Sequence, residues 1–235
     1  MSQTLELDHV SKTYGPITSL RDISLKLNLG DKVIILGANG SGKTTLLKIL
    51  SLLIRPSAGT LKLDREALGP HSIHIKRHIG YVGHPIHLYQ DLTVSDNLTF
   101  FGELHHVPEL KKKIETITEE FGIQETLNQT VRTLSQGNQQ KVNIIRSLLH
   151  EPAILLLDEV FSHLDLPFSL FLEKKIKSCA KDKLIVLCTH RPEIAESIGQ
   201  RWLILKKGRI VMDEISSSRS FSSVWSQYQE TLSTP

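Results

Sequence analysis

The sequence predicts an α/β domain with a parallel core and a helical lobe inserted in it. Three observations carry this. The nearly all-apolar run Lys32-Val33-Ile34-Ile35-Leu36 leads into a glycine-rich turn and then a helical pattern. Two more apolar runs, Ala153 to Leu157 and Leu184 to Leu187, flank the amphipathic segment Phe168 to Ala180, an order that closes into a right-handed parallel unit. Between about Leu92 and Glu151 the pattern is helical.

In chain order, Leu5-Glu6-Leu7 and Ile23 to Leu27 alternate as half-buried strands, and Lys32 to Leu36 reads as a buried central strand. Thr44 to Leu50 has helical spacing that must stop before Pro56. Thr93-x-x-Asp96 matches a capping box, and Glu109 to Phe121 intersperses charges with apolar positions. Ser216-Ser217-Ser218-Arg219-Ser220 opens a serine-rich ending that reads as a weakly ordered tail. The expected division is one domain over 1–235: a core of 1–91 and 152–215, a helical lobe of 92–151 and a polar tail of 216–235.

At 235 residues and 40% hydrophobic, the chain can bury a core without staples. Its net charge is only +3, with acids and bases mixed throughout, so nucleic acid is not an expected partner. Cys179 and Cys188 lack C-x-x-C spacing, so they read as neither a disulfide nor a zinc site, and a reducing compartment fits. Met1 to Glu6 lacks the positive start and apolar run of a signal peptide, and no apolar stretch approaches the ~18 residues of a membrane span. The expected location is cytoplasmic, with any membrane served from that face. His71, His74 and His78 would share a face if helical, yet no cysteine or carboxylate completes a cluster, and they read as surface histidines.

Gly37-Ala38-Asn39-Gly40-Ser41-Gly42-Lys43-Thr44 matches G-x-x-x-x-G-K-[ST] between a buried strand and a helix. Backbone N–H groups of such a loop wrap phosphate oxygens, and the helix N-terminus adds a favourable dipole. Lys43 then reaches the β- and γ-phosphates, and the Thr44 hydroxyl ligates Mg²⁺, with Thr45 following in the same turn. The apolar run Ile154 to Leu157 ends in Asp158-Glu159, at the strand edge where parallel sheets bind ligands. Asp158 is expected to hold Mg²⁺ and Glu159 to polarise the attacking water. Leu187-Cys188-Thr189-His190 brings His190 to the same edge, with one donor and one acceptor for the γ-phosphate and that water.

On these residues the chain, from about Leu5 to Val211, resembles the ATP-binding cassette ATPases. Leu134-Ser135-Gln136-Gly137-Asn138-Gln139-Gln140 is similar to the family signature, LSGGQ followed by a helix, with Gln136 and Asn138 replacing the usual Gly and Gln. The resemblance implies a P-loop NTPase core with an antiparallel β subdomain and an inserted helical subdomain. It also implies ATP and Mg²⁺ as cofactors, and a head-to-tail dimer in which Ser135, Gln136 and Gly137 grip the partner's nucleotide. Tyr14 falls where the family stacks an aromatic on adenine, and Ser162-His163-Leu164-Asp165 resembles the loop linking the two sites. Ile79-Gly80-Tyr81-Val82-Gly83-His84 corresponds to the strand before the family's glutamine loop. His84 stands in place of that glutamine, next to Mg²⁺ and the attacking water, and Gly83-His84 resembles the ATPase of the haem exporters of cytochrome c maturation. Transmembrane permease subunits are the implied partners; the likeness to the haem exporters points to export, while the sequence itself leaves substrate and direction of transport open. A soluble cassette of the iron–sulfur assembly type carries the same motifs. Translation factors with two cassettes and repair ATPases with long heptad arms do not fit this chain, and intact Lys43, Asp158, Glu159 and His190 argue against a silent cassette.

Overall fold

The computed structural model describes residues 4–69, 71–162, 164–178 and 182–233. The expected roles or elements touching His163, Cys179 and Ala180 lie outside these residues.

The chain opens with β1 (Thr4–Tyr14) and β2 (Ile17–Asn28), an antiparallel pair. Then come β3 (Lys32–Leu36), α1 (Lys43–Leu50), β4 (Ala58–Leu63), β5 (Glu66–Leu68), the single turn α2 (Ile73–Lys76) and β6 (Ile79–Val82). Three helices follow: α3 (Val94–Leu104), α4 (Leu110–Glu120) and α5 (Gln136–Leu148). The rest is β7 (Ile154–Asp158), α6 (Leu166–Ser178), β8 (Leu184–Cys188), α7 (Pro192–Ile198), β9 (Arg201–Lys206), β10 (Arg209–Ile215) and α8 (Phe221–Ser233). The strands form a four-stranded antiparallel sheet, β2-β1-β4-β5, and a six-stranded sheet, β10-β9-β3-β8-β7-β6. The central pairs of the larger sheet are parallel and β10 runs antiparallel at its edge.

Strand alternation sorts the core into two layers. Ile34, Leu36, Leu155, Leu157, Ile185 and Leu187 face the helical side, with α5, α6 and α7 packed on them. Val33, Ile35, Ile154, Leu156, Leu184 and Val186 face α1 and the antiparallel sheet. Both faces of the central strands are therefore covered, which is why those strands read as continuous apolar runs rather than alternating ones. The helical lobe begins where the capping box predicts: the Thr93 side chain accepts from Asp96 N and the Asp96 carboxylate accepts from Thr93 N.

The tail departs from expectation. Phe221–Ser233 is helical, and Phe221, Val224 and Tyr228 are buried. Phe221 packs against Trp202 with ring centroids 5.6 Å apart, and Trp225 lies 5.1 Å from Tyr228. The apolar residues at i, i+3, i+4 and i+7 make one stripe; the serines between and before them mask it. No helix among the described residues is long and apolar enough to cross a membrane. His71, His74 and His78 are exposed, and the helical face that would have grouped them does not form, because α2 is one turn long; no metal-holding cluster occurs among the described residues.

Candidate functional site

Gly42 sets the start of α1. It caps the helix at φ +111°, a left-handed conformation that favours glycine, and a Cβ there would lie 2.7 Å from Ser19 O. A Cβ on Gly37 would meet Leu205 O at 2.5 Å. The loop from Gly37 to Gly42 is thus pressed between β2 and β9, and its shape is held by residues far away in sequence. Lys43 is buried, and its Nζ donates to Gly37 O at 2.7 Å and Ala38 O at 3.2 Å. An ammonium has three donors, so one remains for an anion. Ser41 Oγ is buried without a hydrogen-bond partner among the described residues.

Parallel pairing puts the ends of β7 and β8 side by side, with Asp158 opposite Cys188. Asp158 is buried at that edge. Glu159 turns out of the strand at φ +53°, and its N–H donates to Cys188 O at 3.0 Å. This fixed left-handed turn redirects the carboxylate toward His190, whose Nδ1 lies 2.9 Å from Glu159 Oε2. With Nδ1–H donating to the carboxylate, the neutral ring keeps its lone pair on Nε2. Burial raises the Glu159 pKa above the usual carboxylate value, and Asp158 adds to that, while His190 and Lys43 hold it down. A carboxylate tuned this way, and oriented by an imidazole, suits a general base. Behind the pair, the Cys188 thiol is fully buried and pushed up by burial, then by Asp158 and Glu159.

Asn39, Gly40, Gly42, Lys43, Thr44, Thr45, Asp158 and Glu159 line one cavity of about 200 Å³, together with Ser19. The residues fit a magnesium nucleotide: a loop closed to any side chain at Gly37 and Gly42, a cation with a donor to spare, and a hydroxyl and a carboxylate facing one space. Ser19 was not legible in the sequence. Its Oγ donates to Thr45 Oγ1 at 2.8 Å, tying β2 to the loop, and nothing in its local sequence signals that role. Gly37 and Ser41 underlie the loop rather than line the cavity, and His190 reaches it through Glu159.

The sequence profile described as "ABC transporter" matches residues 20–162, more than half of the chain. The chain belongs to the ABC transporter family. It is an ATPase cassette of that family. It is 36% identical over 214 residues to the molybdate/tungstate import ATP-binding protein WtpC of Pyrococcus horikoshii, covering 88% of this chain but 61% of that one. It therefore spans about three-fifths of that relative's length. It is 32% identical over 199 residues to the ABC transporter ATP-binding protein NatA of Bacillus subtilis, covering 83% and 81% of the two. Among solved structures it is similar to the dimeric ATP-binding cassette MJ0796 in a post-hydrolysis state bound to ADP and Pi, with TM-score 0.83 and 28% identity over 90% of this chain and 98% of that one.

The cassette's other predicted residues lie apart from the cavity. Ser135 caps α5, accepting from Asn138 N at 3.2 Å, so Gln136 and Gly137 form the helix's first turn. None of the three lines the cavity of its own chain. Tyr14 ends β1 with 47% of its surface exposed and the Lys12 ammonium 5.1 Å from its ring centre. His84 follows β6, which pairs with β7, so it emerges at the carboxylate edge; it is exposed and does not line the cavity. Tyr228 of α8, missed with the tail, has its hydroxyl pKa raised by burial and then by Glu159. The last helix therefore lies within electrostatic reach of Glu159.

Proposed function

We propose that this cassette binds ATP with Mg²⁺, closes on a second copy head to tail, and drives transport through separate membrane chains. The observation that carries the reading is the cavity in which Lys43, Thr44, Asp158 and Glu159 face one space with His190 behind the base. Lys43 and the Gly37–Gly42 loop bind and orient the β- and γ-phosphates, and Tyr14 stacks on the adenine. Thr44 and Asp158 would hold Mg²⁺, which would supply charge neutralisation at the phosphate oxygens. Glu159 takes the proton of the attacking water while His190 fixes its carboxylate.

The cavity is half a site. The signature turn at Ser135, Gln136 and Gly137 does not line the cavity of its own chain, which supports closure on a partner's γ-phosphate. His84, one step beyond the core sheet, leads from the nucleotide edge toward a second and larger concavity of about 810 Å³ between the core and the helical lobe. That concavity is the surface for a membrane chain, and His84 relays the nucleotide state to it. The relatives WtpC, named for molybdate/tungstate import, and NatA, named only as an ABC transporter ATP-binding protein, share the motor, whereas cargo and direction belong to the membrane chains.

Copurification tests the reading. The cassette, used as bait in detergent-solubilised membranes, is expected to retain a membrane-spanning chain and to hydrolyse ATP faster in its company. A cassette that copurifies only with soluble proteins would transfer the motor to a cytosolic complex.

A further inference from the structure

Tyr81 of β6 ends in a buried polar group with nothing to bond to. The residue is only 8% exposed, and its hydroxyl has no hydrogen-bond partner among the described residues. A phenylalanine would fill the same volume without burying an unpaired hydroxyl, which costs stability. Such a group is a donor that lacks only an acceptor.

Three contacts fix where the hydroxyl points. Arg146 Nη2 donates to Tyr81 O at 2.7 Å, which ties the residue to α5. The His87 ring stands against the phenol with centroids 5.6 Å apart. At the tip, a Cβ on Gly83 would overlap the Tyr81 hydroxyl. The phenol therefore leans along β6 toward the carboxyl ends of the strands, and the glycine before His84 leaves it room.

Strand register decides what lies there. Tyr81 pairs with Leu156 and Val82 with Leu157, and Tyr81, Leu156 and Cys188 all belong to the layer facing α1. Asp158 pairs with Cys188 and stands two residues beyond Leu156, so strand alternation puts its side chain on that same face. Phenol and carboxylate are diagonal neighbours on adjacent strands, a spacing of about 7–8 Å that a long aromatic side chain spans. Burial raises the hydroxyl's pKa, and Asp158 adds to it, so the group stays a donor at working pH.

We infer that Tyr81 is a positioning residue for Asp158: its hydroxyl donates to the Asp158 carboxylate in the nucleotide-bound protein and sets the orientation in which that carboxylate would hold Mg²⁺. The inference rests on the nucleotide reading above and adds the group that aims one of its metal-holding side chains. A donor behind such a carboxylate fixes its rotamer, and losing one typically weakens metal binding without touching the metal.

Tyr81→Phe removes the hydroxyl and keeps the ring. Binding of a fluorescent non-hydrolysable ATP analogue to the full chain is measured in EDTA and in excess Mg²⁺, alongside urea unfolding without nucleotide. The expected result is an affinity in EDTA within about twofold of the wild type and a loss of about tenfold in Mg²⁺. The urea midpoint should stay at or above that of the wild type, because an unpaired buried hydroxyl has been taken away. In an Asp158→Asn background the same change should lose less than about twofold in Mg²⁺. An unchanged affinity in Mg²⁺, equal losses in EDTA and Mg²⁺, or a loss that persists with Asp158→Asn would each overturn the inference. So would a lowered urea midpoint, which would make the hydroxyl a group of the fold rather than of the site. Those outcomes leave the nucleotide reading standing, whereas a wild type whose binding Mg²⁺ does not strengthen would overturn that reading and the inference with it.

Discussion

His190 Nδ1 lies 2.9 Å from Glu159 Oε2 across the adjoining ends of β8 and β7. The pair is held by parallel strand register rather than by sequence proximity, and it gives Glu159 two opposed influences: burial raises its pKa, and His190 and Lys43 lower it.

Removing the imidazole leaves burial less opposed. His190→Ala should therefore move the acid limb of the ATPase pH–rate profile to higher pH, since Glu159 must be ionised to accept a proton. It should also cut kcat by roughly 10²-fold, the lower end of a general-base contribution. Steady-state hydrolysis from pH 5 to 9 measures both. An unmoved acid limb with full turnover would remove His190 from the base.

The signature is expected to serve the other chain's nucleotide. Lys43→Ala should lose nucleotide affinity, because the ammonium offsets charge on the phosphates, whereas Ser135→Arg should bind ATP normally as a monomer and lose turnover. Mixed together, the two should regain part of the activity, since one composite site then has both halves intact. Activity is read across mixing ratios, and a flat zero would contradict the shared site.

The ordered tail makes a stability prediction. Phe221 packs between Trp202 and Trp225, so Phe221→Ala should cost about 3 kcal/mol, measured by urea unfolding. A loss below about 0.5 kcal/mol, the size of a surface substitution, would mean that α8 does not pack as described.

Acid should destabilise the fold through His150. Its pKa is lowered from 6.5 to about 4, chiefly by burial and then by stacked His105, with Arg146 and His78 adding to it and the bond to Ile79 O opposing it. His105 is lowered too, by burial and then by Arg146, Arg77 and His106. In the unfolded chain these rings protonate below about pH 6.5, so the native state loses relative stability as pH falls from there toward 4. For His150 alone the loss approaches about 3 kcal/mol at full effect. Urea midpoints should fall less steeply between pH 7 and 5 for His150→Gln than for the wild type; parallel curves would count against it.

How much of this the sequence discloses depends on where the information sits. Lys32 to Leu36, Ile154 to Leu157 and Leu184 to Leu187 are legible because burial on both faces makes continuous apolar runs, and the Gly37 to Thr44 loop because phosphate chemistry restricts its residues. Asp158, Glu159 and His190 follow from the strand ends. Ser19 and Arg146 are not legible, since each acts through a tertiary neighbour, Thr45 and Tyr81 O, that no local pattern reveals. The helix from Phe221 was hidden by composition: its apolar stripe needs Trp202 to pack on, and the serines around it look like a tail.

The central claim is that ATP closes two copies of this chain around shared sites. Glu159→Gln keeps the phosphate contacts and loses the base, so with ATP and Mg²⁺ it should elute from size exclusion with light scattering at twice the monomer mass, and return to monomer with ADP. A variant that stays monomeric at saturating ATP, or that turns over ATP at the wild-type rate, would contradict it.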